Sequence, residues 1–131
     1  MTATLFICVS CQREGQQRES QENDALDRPG RILVQALEAH QREHGPMSFA
    51  VAGVDCLAVC KRPCTVAFCG TGKWTYLIGD IDPAAHMGDV ISAALSYAIS
   101  ETGIVPWRER PLFFRKGVIA RVPPMSHREL Q

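Results

Sequence analysis

The sequence predicts an α/β protein built on a four-stranded mixed sheet, and three observations carry that expectation. An apolar, β-rich run at residues 5–9 and a second at 48–54 flank a helical pattern, which is the order of a parallel strand–helix–strand unit. Two further β-rich runs, 64–69 and 73–79, are joined by Gly70-Thr71-Gly72, the short glycine-bearing connection of an antiparallel hairpin. Asp82-Pro83 then opens the clearest amphipathic pattern in the chain. The order is strand–helix–strand, then strand–strand–helix.

Taken in turn, Leu5, Phe6, Ile7, Cys8 and Val9 form the unbroken apolar run expected of a strand buried on both faces. Residues 12–28 are polar and mixed in charge, with few anchors, and are expected as a mobile loop. Pro29 suits the first turn of a helix, with Asp24 and Asp27 as candidate caps. Ile32, Leu33, Ala36, Leu37 and His40 recur at helical spacing until Gly45-Pro46; His40 and His44 are read as helix-surface or core-edge residues. In the hairpin, Trp74, Tyr76 and Ile78 alternate onto one face. Asp82 is a capping carboxylate ahead of Pro83, and Met87, Val90, Ile91, Ala94, Leu95 and Ala98 form the stripe of the second helix, which ends near Gly103. From 104 to 131 the chain is basic and proline-rich, and Pro106, Pro111, Pro123 and Pro124 forbid a long helix. The expected division is therefore a domain at 1–103 and an extended C-terminal arm at 104–131, pinned by Trp107, Phe113 and Phe114.

Composition narrows the function classes. With 131 residues, 46% hydrophobic and 21% charged, the chain has the make-up of one globular domain. A formal net charge of zero gives no general pull toward nucleic acid or anionic membrane. No apolar run approaches the ~20 residues of a membrane span, and the first residues lack a basic, signal-like start, so the expected location is the cytoplasm. No Ser/His/Asp arrangement, phosphate-binding glycine loop or carboxylate pair stands out, so a self-contained enzyme is not expected.

In a reducing compartment, six cysteines are read as ligands or redox groups before staples. Cys8 and Cys11 form Cys-x-x-Cys at a strand end; Cys56, Cys60 and Cys64 follow at every fourth position, with Lys61, Arg62 and Pro63 between the last two. Each short pair lets two sulfurs face a common point, and Lys61 and Arg62 favour the thiolate form that binds metal. An iron–sulfur cluster, a zinc site and a Cys8/Cys11 dithiol redox pair are the three readings. The dithiol reading is weakened by the polar loop that follows Cys11, where such motifs usually open a helix. Cys69 reads as a small buried hydrophobe.

These motifs resemble those of the thioredoxin-like [2Fe–2S] ferredoxins and, more closely, of a related bacterial family of predicted metal-binding proteins of unknown function. The resemblance spans residues 4–100 and rests on Cys8-Val9-Ser10-Cys11, on Asp55-Cys56-Leu57-Ala58-Val59-Cys60-Lys61-Arg62-Pro63-Cys64 and on the segment from Gly72 to Pro83. It implies a thioredoxin-like fold and a [2Fe–2S] cluster held by Cys8, Cys11, Cys56 and Cys60, with Cys64 the alternative fourth ligand and Lys61 and Arg62 beside the site. The first two cysteines are closer together here than in those ferredoxins, and Cys64 is additional to their pattern. The expected function is a one-electron carrier; the alternative is a protein binding zinc or another thiophilic metal, and after it a thiol–disulfide oxidoreductase. The expected partner is a redox protein, of acidic character if the basic segment from Arg108 to Arg121 steers it; nucleic acid and membrane are not expected partners, and a homodimer is left open.

Overall fold

The computed structural model describes residues 3–9, 28–45, 48–58 and 64–125. The chain runs β1 (Ala3–Cys8), α1 (Pro29–His44), β2 (Phe49–Val54), β3 (Val66–Gly70), β4 (Thr75–Ile78), α2 (Pro83–Ile99), a 3-10 turn (Trp107–Glu109), α3 (Leu112–Lys116) and β5 (Val118–Val122). One sheet holds all five strands in the order β2-β1-β3-β4-β5. β1 and β2 are parallel, with Cys8 opposite Val54, while β1–β3, β3–β4 and β4–β5 are antiparallel. The expected strand–helix–strand unit and hairpin are both present.

The fifth strand is the difference from the four-stranded expectation. The tail is not a plain extended arm: its prolines delimit short elements, Pro106 preceding the 3-10 turn and Pro111 preceding α3, and Val118–Val122 then pairs with β4. Phe113 and Phe114 are buried in the core, so the tail and the sheet share one apolar interior.

That interior lies where α1 and α2 pack on each other and on β1 and β2. Leu33 and Leu37 of α1 meet Leu5 and Ile7 of β1 and Val90, Ala93, Ala94 and Tyr97 of α2, all fully or almost fully buried. Thr4 and Phe6 on the other face of β1 are only half-buried, so the strand is not covered equally on both sides. In α2 the buried stripe sits one position away from the one expected: Ala93 and Tyr97 join it, and Leu95 is exposed. Tyr76 and Phe114 meet edge to face at 4.9 Å, and Phe68 lies 5.5 Å from both Phe114 and Tyr97, an arrangement worth more than its buried area alone. The buried phenols are hydrogen-bonded: Tyr97 donates to the Trp74 carbonyl at 2.6 Å, and the Tyr76 oxygen accepts from the Val105 N–H and the Arg110 guanidinium. Burial pushes the Tyr97 pKa well above the ordinary phenol value.

The helix ends follow from side-chain chemistry. Asp82 caps α2 as expected, its carboxylate accepting from the Ala84 and Ala85 amides. At the other end, Lys73 reaches over from the β3–β4 connection and its ammonium donates to the carbonyls of Tyr97, Ala98 and Ser100 at 3.1, 2.7 and 2.5 Å. A helix C-terminus leaves such carbonyls without i→i+4 partners, and here the Tyr97 carbonyl also accepts the Ser100 N–H at 3.2 Å. Burial lowers the Lys73 pKa. α1 has Arg28 at its N-cap with no side-chain cap bond; Asp24 and Asp27 lie outside the described residues, as does the rest of the expected loop apart from Arg28. His40 is half-buried and His44 exposed, their rings 4.3 Å apart on the surface of α1. Among the described residues no helix is long and apolar enough to cross a membrane.

Candidate metal centre

Strand direction decides which cysteines share an end of the sheet. β1 and β2 run parallel, so Cys8, the last residue of β1, and Cys56, two residues past the end of β2, leave the sheet at the same end. β3 runs the other way, so Cys64, just before its start, returns to that same end on the far side of β1. Main-chain bonds fix the arrangement. The Cys8 N–H donates to the Thr65 carbonyl at 3.0 Å, and the Val9 N–H to the Val54 carbonyl at 2.9 Å. Cys64 and Ile81 exchange both N–H···O bonds, at 3.3 and 3.1 Å, tying Cys64 to the segment that follows β4.

The three sulfurs have different surroundings. Cys8 is fully buried, and its Sγ lies 3.9 Å from the Asp55 carbonyl oxygen, a link from β1 to the loop after β2. Cys56 is exposed, and its Sγ accepts the Ala58 N–H at 3.1 Å. Ala58 itself takes a left-handed conformation with φ 63°, which costs a residue with a Cβ roughly 1–2 kcal/mol. Cys64 is fully buried among core side chains. Cys69, on β3 beside Thr4 of β1, lies toward the opposite end of the sheet. It is half-buried rather than fully buried; burial raises its pKa, and a hydrogen bond with Thr75 opposes that rise.

Of the residues expected at a metal site, the structure therefore places Cys8, Cys56 and the alternative ligand Cys64 at one end of the sheet. Cys11, Cys60, Lys61 and Arg62 lie outside the described residues. Among the described residues no group of three or more His, Cys, Asp or Glu side chains is gathered around a common metal position.

Two neighbours of this end have no marker in the sequence. Gly30, in the first turn of α1, packs directly on the Cys8 main chain: a Cβ there would stand 1.7 Å from the Cys8 carbonyl oxygen and 2.7 Å from its carbon. The helix thus starts against the residue that ends β1. Pro29-Gly30 reads from sequence only as a helix start, and Ala58 lacks the glycine or asparagine that usually flags a left-handed turn.

The basic segment lies on the β4 side of the sheet. Arg110 stacks between the Tyr76, Trp107 and Phe114 rings at 5.0–5.6 Å, Arg115 donates to the Trp107 and Arg108 carbonyls, and Arg121 lies 4.8 Å over the Trp74 ring. These three cations are engaged within the chain; Arg108 and Lys116 are exposed.

The topology is that of the thioredoxin-like fold. A thioredoxin-like [2Fe–2S] ferredoxin from Aquifex aeolicus has a similar structure, with a TM-score of 0.58 at 16% sequence identity over 96% of this chain and 97% of that one. At that identity the likeness establishes the fold. No curated protein matches the chain in sequence. A family model described as "Protein of unknown function (DUF1636)" matches residues 5–124, nearly the whole of the described structure, and the chain belongs to that family.

Proposed function

We propose that this protein binds a metal centre through its cysteines, a [2Fe–2S] cluster in the first instance, and serves as a one-electron carrier. One observation carries the reading: the parallel β1–β2 pair and the reversed β3 bring Cys8, Cys56 and Cys64 out of the sheet at the same end. The donor chemistry fits a thiophilic centre. Thiolate is the ligand form, and the Ala58 N–H on Cys56 Sγ is the kind of sulfur hydrogen bond that tunes such sites. Buried Cys8 and exposed Cys56 give the end one sheltered and one accessible side, as a surface electron carrier needs. Cys8, Cys11, Cys56 and Cys60 would hold the group, with Cys64 the alternative to Cys11. A bound [2Fe–2S] cluster would supply one-electron transfer; the protein supplies ligands, hydrogen bonds and burial. The thioredoxin-like ferredoxin of the same fold supports this reading by analogy.

Zinc in the same thiolates is the second reading. A third is dithiol exchange by Cys8 and Cys11. A redox protein is the partner of this reading, of acidic character if the basic segment from Arg108 to Arg121 steers it.

Single Cys→Ser variants test the ligand set. Cys8→Ser, Cys56→Ser and Cys60→Ser are expected to abolish stoichiometric metal, and Cys64→Ser to retain most of it. Loss on Cys64→Ser with retention on Cys11→Ser would exchange those two ligands. Retention in both Cys8→Ser and Cys56→Ser would refute the shared centre.

A further inference from the structure

The same end of the sheet carries a second feature, on the β4–β5 side. β4 leaves the sheet at Gly79; Asp80 turns through a left-handed conformation (φ 61°), Ile81 pairs with Cys64, and Asp82 caps α2. Opposite, α3 ends at Lys116 and Gly117 before β5 begins, and the Gly79 N–H donates to the Gly117 carbonyl at 2.9 Å. Between the first turn of α2 and the end of α3 lies a cavity of about 210 Å³. Gly79, Gly117 and Phe113 are its buried lining, Asp80, Leu112 and Lys116 its exposed rim, and His86 forms one wall.

The polar groups at this cavity are set for a particular ligand chemistry. The Asp82 backbone N–H donates to His86 Nδ1 at 2.9 Å, so the ring carries its proton on Nε2 and offers it as a donor. The imidazole lies nearly parallel to the Phe113 ring, centroids 5.7 Å apart, which holds its orientation. Among the described residues neither His86 Nε2 nor the Lys116 ammonium has a hydrogen-bond or ion-pair partner in the chain. Two donors, one of them cationic, thus stand beside an apolar wall of Phe113 and Leu112. Asp80 on the same rim penalises a second negative charge on anything bound there.

We infer that this cavity binds a small organic monocarboxylate. Its carboxylate accepts from His86 Nε2–H and the Lys116 ammonium, and its hydrocarbon part lies on Phe113 and Leu112. The volume is below the ~300–1,000 Å³ of drug-sized pockets, so the ligand is a short-chain acid rather than a fatty acid or a nucleotide. The cavity is separate from the cysteines, though Ile81, next to Asp80, pairs with Cys64; the inference stands whichever metal they hold.

The test is a calorimetric titration of the full chain, with whatever metal it is purified with, using butyrate, butylamine and inorganic phosphate as probes. Butyrate is expected to bind saturably with a Kd on the order of 1 mM, at least about tenfold tighter than the other two. Lys116→Met, an exposed position, should weaken butyrate about tenfold, and His86→Gln should do the same while leaving the helix cap in place. Absence of saturable butyrate binding would overturn the inference. So would equal binding of butylamine or phosphate, or unchanged butyrate affinity in the Lys116→Met protein.

Discussion

Replacing Gly30 by alanine probes how α1 is seated on the end of β1. The added methyl group would stand 1.7 Å from the Cys8 carbonyl oxygen, so the two segments must separate by at least 1.3 Å to reach 3.0 Å. Neither side yields readily. Leu33 and Leu37, one and two turns along α1, are fully buried, and Cys8 and Val9 are tied by their N–H groups to Thr65 and Val54. Overpacking of this kind costs typically ~1–3 kcal/mol, and a main-chain clash between two held elements takes the upper end. The helix propensity of alanine over glycine returns at most ~1 kcal/mol. The net expectation is a loss of about 2 kcal/mol, or roughly 6–10 °C in Tm for a chain of this size. Gly88→Ala is the matched control: it lies in α2, is exposed, and a Cβ there meets nothing within 4 Å. That change should stabilise by about 0.5–1 kcal/mol. Urea unfolding of both variants, followed by far-UV circular dichroism, measures the difference. A Gly30→Ala protein as stable as wild type, or stabilised like Gly88→Ala, would refute the close seating of α1 on Cys8.

Other expectations follow from the same reasoning. Lys73→Met removes three hydrogen bonds from the end of α2 and should cost about 2–4 kcal/mol in urea unfolding, with hydrogen exchange rising in the last turn of α2. Ala58→Gly relieves a left-handed residue and should change stability by no more than about 1 kcal/mol in the favourable direction, whereas Ala58→Val should lose stability. Burial raises the Cys69 pKa, so its alkylation at pH 8 should be slower than that of an exposed thiol. Because the folded state holds that proton longer than the unfolded chain, the Cys69 contribution is constant below the ordinary thiol pKa and is lost as pH rises through the raised one. Cys69→Ala should therefore flatten the alkaline fall in Tm.

Local chemistry was legible where a signal acts on its own neighbours. Asp82-Pro83 predicts a capped helix and the carboxylate does accept two amides; Gly70-Thr71-Gly72 predicts the hairpin that forms. The helix between two β-rich runs predicts the parallel β1–β2 pair, and this puts Cys8 and Cys56 at one end. What escaped notice depends on distant partners. Val118–Val122 carries no clear alternation because it is an edge strand with three exposed residues, so its pairing with β4 is invisible beside four prolines. Lys73 sits in a strand-like stretch, yet its side chain serves a helix end some 24–27 residues on. Tyr97 replaces Leu95 in the buried stripe because its hydroxyl finds the Trp74 carbonyl, a partner no periodicity reveals. His86 carries no sequence marker of its own: its ring is oriented by the Asp82 N–H, four residues before it, and by Phe113, distant in sequence, across the cavity.

The metal itself is the most direct test of the proposed function. Protein purified without oxygen should be assayed for iron, acid-labile sulfide and zinc, with absorption spectra before and after dithionite and electron paramagnetic resonance of the reduced sample. A [2Fe–2S] electron carrier predicts two irons and two sulfides per chain, a visible charge-transfer spectrum that bleaches on reduction, and a spin-one-half signal. Stoichiometric zinc without sulfide, or a metal-free protein whose thiols do not reconstitute with iron and sulfide, would contradict it.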